Sequence, residues 1–136
     1  MCTPLPDDTY RDRSATEQVI TLCPEPQAPR QARAFVRRRL VKLGFPKLVD
    51  DGALVAAELV TNAVTHAPYG PITLSLRPAR GRPLIEVRDC SAVLPVLKPA
   101  DYVAESGRGL HIVEALSLEY GWERTRSGKT VWAILA

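Results

Sequence analysis

The chain has 136 residues, 46% of them hydrophobic and 24% charged, which suits one globular domain with a single core and excludes a multidomain enzyme, collagen, wholesale disorder and a disulfide scaffold. Eighteen Lys and Arg against 15 Asp and Glu leave a net charge of +3, too small an excess to require nucleic acid or another polyanion as partner. Cys2, Cys23 and Cys90 lack C-x-x-C spacing, no secretory signal is apparent, and no apolar run reaches the ~18 residues of a membrane span, so a reducing cytoplasm without membrane contact is expected.

Residues 1–16 are polar and carry Pro4, Pro6, Asp7, Asp8 and Asp12, which predicts a flexible leader ahead of a domain over 17–136. Val19–Cys23 is β-branched and apolar and stops at Pro24, a short edge strand. Ala28, Ala32, Phe35, Val36, Leu40 and Leu43 recur at steps of three and four and predict an amphipathic helix ending at Gly44. Arg37-Arg38-Arg39 falls on its solvated face. After a turn at Phe45-Pro46-Lys47, the alanine- and valine-rich stretch Val49–Ala67 predicts a second, longer helix.

Ile72–Leu76 and Leu84–Asp89 predict two strands joined through Pro78–Pro83 as a hairpin. Residues 90–106 form a long connection, the kind that in compact domains moves as a functional loop. Gly109–Leu118 predicts a third helix, and Tyr120–Thr125 with Thr130–Ala136 a closing hairpin that turns at Ser127-Gly128. This order implies a two-layer α/β sandwich, with a mixed or antiparallel sheet, helices on one face, and the other face left to water or a partner.

Several familiar sites fail on spacing. Gly128-Lys129-Thr130 resembles the end of a P-loop, but Glu123 stands where G-x-x-x-x-G-K-[ST] needs its first glycine. Gly107-Arg108-Gly109 opens a dinucleotide fingerprint whose third glycine would be Ile112. His66 and His111 read as packing residues without the partners of a zinc site, and no serine stands in a G-x-S-x-G elbow. What remains is the second helix. At about 100° per residue, Asp51, Glu58, Asn62 and Thr65 form one polar stripe opposite Ala53, Ala56, Val60, Ala63 and Val64. By itself that stripe reads rather as the wet side of an amphipathic helix.

Combined with later segments it acquires a pattern. Glu58-Leu-Val-Thr-Asn62-Ala-Val-Thr-His66, Val87-Arg-Asp89-Cys-Ser91, Glu105-Ser-Gly-Arg-Gly-Leu110 and Ser127-Gly-Lys-Thr130 resemble, in order, the N, G1, G2 and G3 boxes of GHKL ATPases. The resemblance is nearest to RsbW-like anti-sigma factor serine kinases and the small actinobacterial ATP-binding proteins that close on Gly-Lys-x-Val-Trp, here Gly128–Trp132. It covers about Glu17 to the C-terminus. One departure is that Asp89 is followed by Cys90-Ser91-Ala92-Val93, without the glycines of the usual D-x-G-x-G.

The resemblance implies the sandwich fold of those ATPases, with ATP and Mg2+ as ligands. An adenine needs a fixed acceptor for its exocyclic amine, and Asp89 at a strand end supplies one; Thr130 is implied to support the same edge through its hydroxyl. Asn62 is implied to give one amide oxygen to magnesium. Glu58, one turn earlier on the same face, is the candidate base toward a serine hydroxyl or a water. Gly107 and Gly109 let backbone amides approach phosphates ahead of a helix N-terminus, and Arg108 adds a planar cation. The implied partners are an STAS-type anti-anti-sigma protein and a sigma factor, with a possible homodimer. Two alternatives stay open: a binding module that uses nucleotide only as a conformational ligand, and a hydrolytic ATPase.

Overall fold

A computed structural model describes residues 18–91 and 105–136, and over 105–109 the backbone alone. In chain order it contains β1 (Gln18–Leu22), α1 (Ala28–Lys42), a single 3-10 turn (Pro46–Leu48), α2 (Val49–His66), β2 (Ile72–Ala79), β3 (Arg82–Asp89), α3 (Glu105–Leu116), β4 (Ser117–Thr125) and β5 (Gly128–Leu135). The expected leader over 1–16 lies outside the described residues, as do residues 92–104 of the expected moving loop.

The strands form one sheet in the order β1-β2-β3-β5-β4. All of its ladders are antiparallel, so of the two sheets expected, mixed or antiparallel, it is the antiparallel one. The cause is the path after β3. The chain crosses through α3 to the far edge as β4, and β5 then turns back into the gap beside β3, so no strand lands parallel to a neighbour.

Alternation sorts the sheet residues into two faces. Ile72, Leu74, Leu76, Ile85, Val87, Val131, Ala133 and Leu135 point toward the helices and join Phe35, Val36, Leu40, Val55, Ala56, Val60 and Val113 in one core. Each such Leu, Ile or Val contributes roughly 1.5–3 kcal/mol on burial. Small residues let the helices sit close. A Cβ on Gly52 would lie 2.4 Å from Leu40 Cδ1 and 3.1 Å from Leu135 Cδ1, so α2 meets α1 and β5 through a bare backbone. The opposite face, expected to be left to water or a partner, carries an apolar cluster of its own. Ala79, Leu84, Trp132 and Ile134 form a second buried cluster drawn from strands alone, beside a buried Arg77–Glu86 ion pair at 3.2 Å.

Several boundaries move. β2 and β3 run through the prolines to a two-residue turn at Arg80-Gly81, both with positive φ (52° and 77°). Pro78 and Pro83 face each other across the ladder, a position where neither lacks a bond because neither can donate one. α3 starts at Glu105 and ends at Leu116, four residues before the expected start and two before the expected end. Glycines are tolerated in a first turn, where amides have no intrahelical partner. At the other end Ser117 is captured by pairing with Leu135.

Candidate functional site

Asp89 ends β3 and is 3% exposed; Lys129, its direct partner across the ladder, is 1% exposed. Their side chains point to the helix face, in line with Val87 and Val131. Lys129 Nζ donates to Asp89 Oδ1 at 3.0 Å and to Oδ2 at 2.9 Å, and the Ser91 backbone N–H donates to Oδ1 at 2.9 Å. The last bond is the local turn by which an Asp ends a strand. Charge-assisted bonds of this kind offset the cost of taking both charges out of water. The strands are held tightly here: a Cβ on Gly128 would fall 1.9 Å from the Asp89 carbonyl oxygen and 2.8 Å from Cys90 Cα. Only glycine lets β5 begin against the Asp89–Cys90 backbone.

Thr130 is corrected by the same pleat. It pairs with Arg88, not Asp89, and its hydroxyl lies on the face away from the helices, where Arg88 Nε reaches it at 3.5 Å. The Thr130 hydroxyl thus lies on the opposite face of the sheet from the Asp89 carboxylate. The residue that does stand beside the carboxylate is Lys129, which sequence reasoning passed over. A signal for it existed: residues 129, 131, 133 and 135 share one face of a strand, so the face of Val131 fixes that of Lys129.

On α2, Glu58 and Asn62 are half-buried while Asp51 and Thr65 are exposed, so the stripe sinks toward the core at the two positions singled out. Burial raises the Glu58 pKa above its ordinary value of 4.5, and the Arg33 guanidinium on α1 partly counters this. The helix is amphipathic because Ala53, Ala56, Ala57, Val60 and Ala63 are buried on its other side. Thr65 turns its hydroxyl back to the Thr61 carbonyl at 2.9 Å, which uses its one donor.

Chain direction brings these segments to one end of the sandwich. α2 ends at His66 and leads into β2, whose Thr73 pairs with Arg88 near the end of β3. The C-terminal half of α2 thus lies at the strand ends that carry Asp89 and Lys129. α3 passes straight into β4 at Ser117, opposite Leu135 at the far end of β5. Gly107, Arg108 and Gly109 lie inside the helix rather than ahead of it.

A family model for the histidine kinase-like ATPase domain matches residues 22–135, from the last residue of β1 to the last of β5. The chain belongs to the histidine kinase-like ATPase family. No curated protein matched it. Membership of the family implies an ATP site, commonly used with Mg2+, and the residues suit both. The Asp89 carboxylate has accepted three bonds of the roughly four it has room for, which leaves an acceptor for an amine. Among the described residues no group of three or more His, Cys, Asp or Glu is placed to hold a metal. Magnesium would therefore take its oxygens from triphosphate, water and the one side-chain amide of Asn62, as its octahedral chemistry allows. Among the described residues of this histidine kinase-like domain, no helix is long and apolar enough to cross a membrane.

Proposed function

We propose that this histidine kinase-like ATPase domain is an anti-sigma factor with serine/threonine kinase activity. In this reading Mg-ATP is the phosphoryl donor, a serine of an STAS-type anti-anti-sigma protein is the acceptor, and the unphosphorylated partner competes with a sigma factor. The observation that carries it is the placement of half-buried Glu58 and Asn62 on one face of α2, running to the end of the sandwich where Asp89 stands. The residue pattern of the four boxes supports the same reading.

The chemistry needs little from the protein beyond positioning and one proton acceptor. The serine oxygen bonds to the γ-phosphorus, the bond from the γ-phosphorus to the β,γ-bridging oxygen breaks, ADP leaves, and the hydroxyl proton passes to Glu58. Burial fits Glu58 for this by making its carboxylate hold a proton more readily than an exposed glutamate does. Asn62 would hold the magnesium, which neutralises charge on the phosphates.

A second reading, a module that binds nucleotide and partner without transfer, has an observation of its own: Asp89 is held by Lys129 and its following loop lacks the usual glycines. One experiment separates the two. Mg2+, γ-labelled ATP and candidate STAS proteins are mixed with the chain and with Glu58→Ala and Asn62→Ala. The kinase labels a partner serine, Glu58→Ala abolishes the label, and Asn62→Ala weakens Mg-dependent ATP binding at least about 10-fold with the fold intact. Binding without label supports the module, and phosphate release without an acceptor supports a hydrolytic ATPase. Light scattering decides whether the protein is a homodimer.

A further inference from the structure

Resting on the reading of this end of the sandwich as an ATP site, we propose that Lys129 is a second base-reading residue. Asp89 and Lys129 together meet the edge of adenine, the carboxylate accepting from the exocyclic amine while the lysine ammonium donates to ring nitrogen N1.

The two side chains keep hydrogen-bonding capacity that they do not use on each other. An ammonium has three N–H donors and a carboxylate about four acceptor sites. Lys129 Nζ uses donors on Oδ1 and Oδ2 of Asp89, and Oδ1 also accepts from Ser91. Among the described residues the pair makes no further bond, so one donor on Nζ and one acceptor site on Oδ2 remain, side by side. Both residues are almost wholly buried, where a hydrogen bond to a charged group meets little competition from water. A ligand that fills both must present a donor next to an acceptor, and the amine and N1 of adenine do so on adjacent atoms.

The placement is also rigid. Asp89 and Lys129 are Cα partners in a paired ladder, the Asp89 side chain is tied to the Ser91 amide, and the backbones meet so closely at Gly128 that no Cβ fits. The backbones are fixed by strand pairing and Nζ is held by its two bonds to the carboxylate, and a preorganised donor and acceptor read a base edge best. On this account Lys129 replaces, on the correct face of β5, the support that the sequence pattern had led us to expect from Thr130.

The test pairs ligand atoms with the residue. Calorimetric titration of the full chain with Mg-ATP, with 1-deaza-ATP, which has a C–H in place of N1, and with purine riboside triphosphate, which lacks the amine, compares wild type with Lys129→Met and Lys129→Arg. Wild type binds ATP about 10-fold or more tighter than either analogue, the loss expected for a hydrogen bond to a charged group. Lys129→Met brings ATP and 1-deaza-ATP to within about 3-fold, and Lys129→Arg, which keeps a donor, retains part of the preference. A purely structural lysine would lower stability and leave the ratio alone. Equal binding of ATP and 1-deaza-ATP by wild type overturns the proposal without any variant, as does a ratio that Lys129→Met leaves unchanged. Failure of wild type to bind any of the three overturns the ATP-site reading itself.

Discussion

Replacing Lys129 with methionine removes a cation and keeps most of the apolar stem, so its effect isolates what the ammonium does for Asp89. The carboxylate, 3% exposed, would lose the Nζ bonds at 3.0 and 2.9 Å and keep only the Ser91 amide. Breaking one side of a buried pair costs about 3–5 kcal/mol because the surviving charge is left without compensation. That is a large part of the ~5–15 kcal/mol a domain of this size holds. With a urea m-value near ~2 kcal/mol/M, the unfolding midpoint falls by roughly 1.5–2.5 M. Asp89→Asn, which keeps an acceptor for the Ser91 amide but strands the lysine, costs a comparable amount. The double variant strands no charge and costs about 2 kcal/mol or more less than the sum of the two singles. An internal control is the Arg37–Asp50 pair, as short at 2.8 Å but solvent-exposed: Arg37→Ala costs about 1 kcal/mol or less. Urea titrations followed by circular dichroism, with m-values held equal, measure all four. A Lys129→Met loss below about 1 kcal/mol, or a double variant that costs the full sum, refutes the account of this pair as a buried, mutually dependent unit.

Three further outcomes are expected. Gly128→Ala drives a Cβ to 1.9 Å from the Asp89 carbonyl oxygen, so it destabilises by about 3 kcal/mol or more; a urea midpoint within error of wild type contradicts the close approach. Thr130→Val leaves ATP affinity within about 2-fold, since only the weak 3.5 Å bond from Arg88 on the far face is lost; a large drop in a calorimetric titration would return Thr130 to the site. Glu58 has a folded pKa raised above 4.5, so its contribution to stability is fully present below that value and declines as pH rises through the raised one. Glu58→Gln lacks this decline, and its melting temperature relative to wild type therefore moves upward from pH 4 to pH 7; movement in the opposite direction would show that Arg33 outweighs burial.

How much of this was legible in the sequence depends on how many environments an element samples. α2 has a dry side and a wet side over 18 residues, so its period placed Glu58 and Asn62 on one stripe, and the structure adds only that these two are the half-buried members. β3 is buried on both faces from Pro83 to Val87, and only its exposed Arg82 and Arg88 mark its ends. The start of α3 was hidden because glycines read as a break in a sequence, yet cost little where the first amides have no helical partner. β5 was the least legible. Every residue from Lys129 to Leu135 is buried, because helices cover one face and a second apolar cluster occupies the other. A strand buried on both faces carries no polar alternation to show which side a residue takes. The motif at Gly128-Lys129-Thr130 fixed a position along the chain but not a face, and in a strand a slip of one residue exchanges the two. What restores the face is the partner strand: once Asp89 stands opposite Lys129, with Val87 and Val131 turned into the core beside them, the lysine falls on the face of the carboxylate and the threonine on the other.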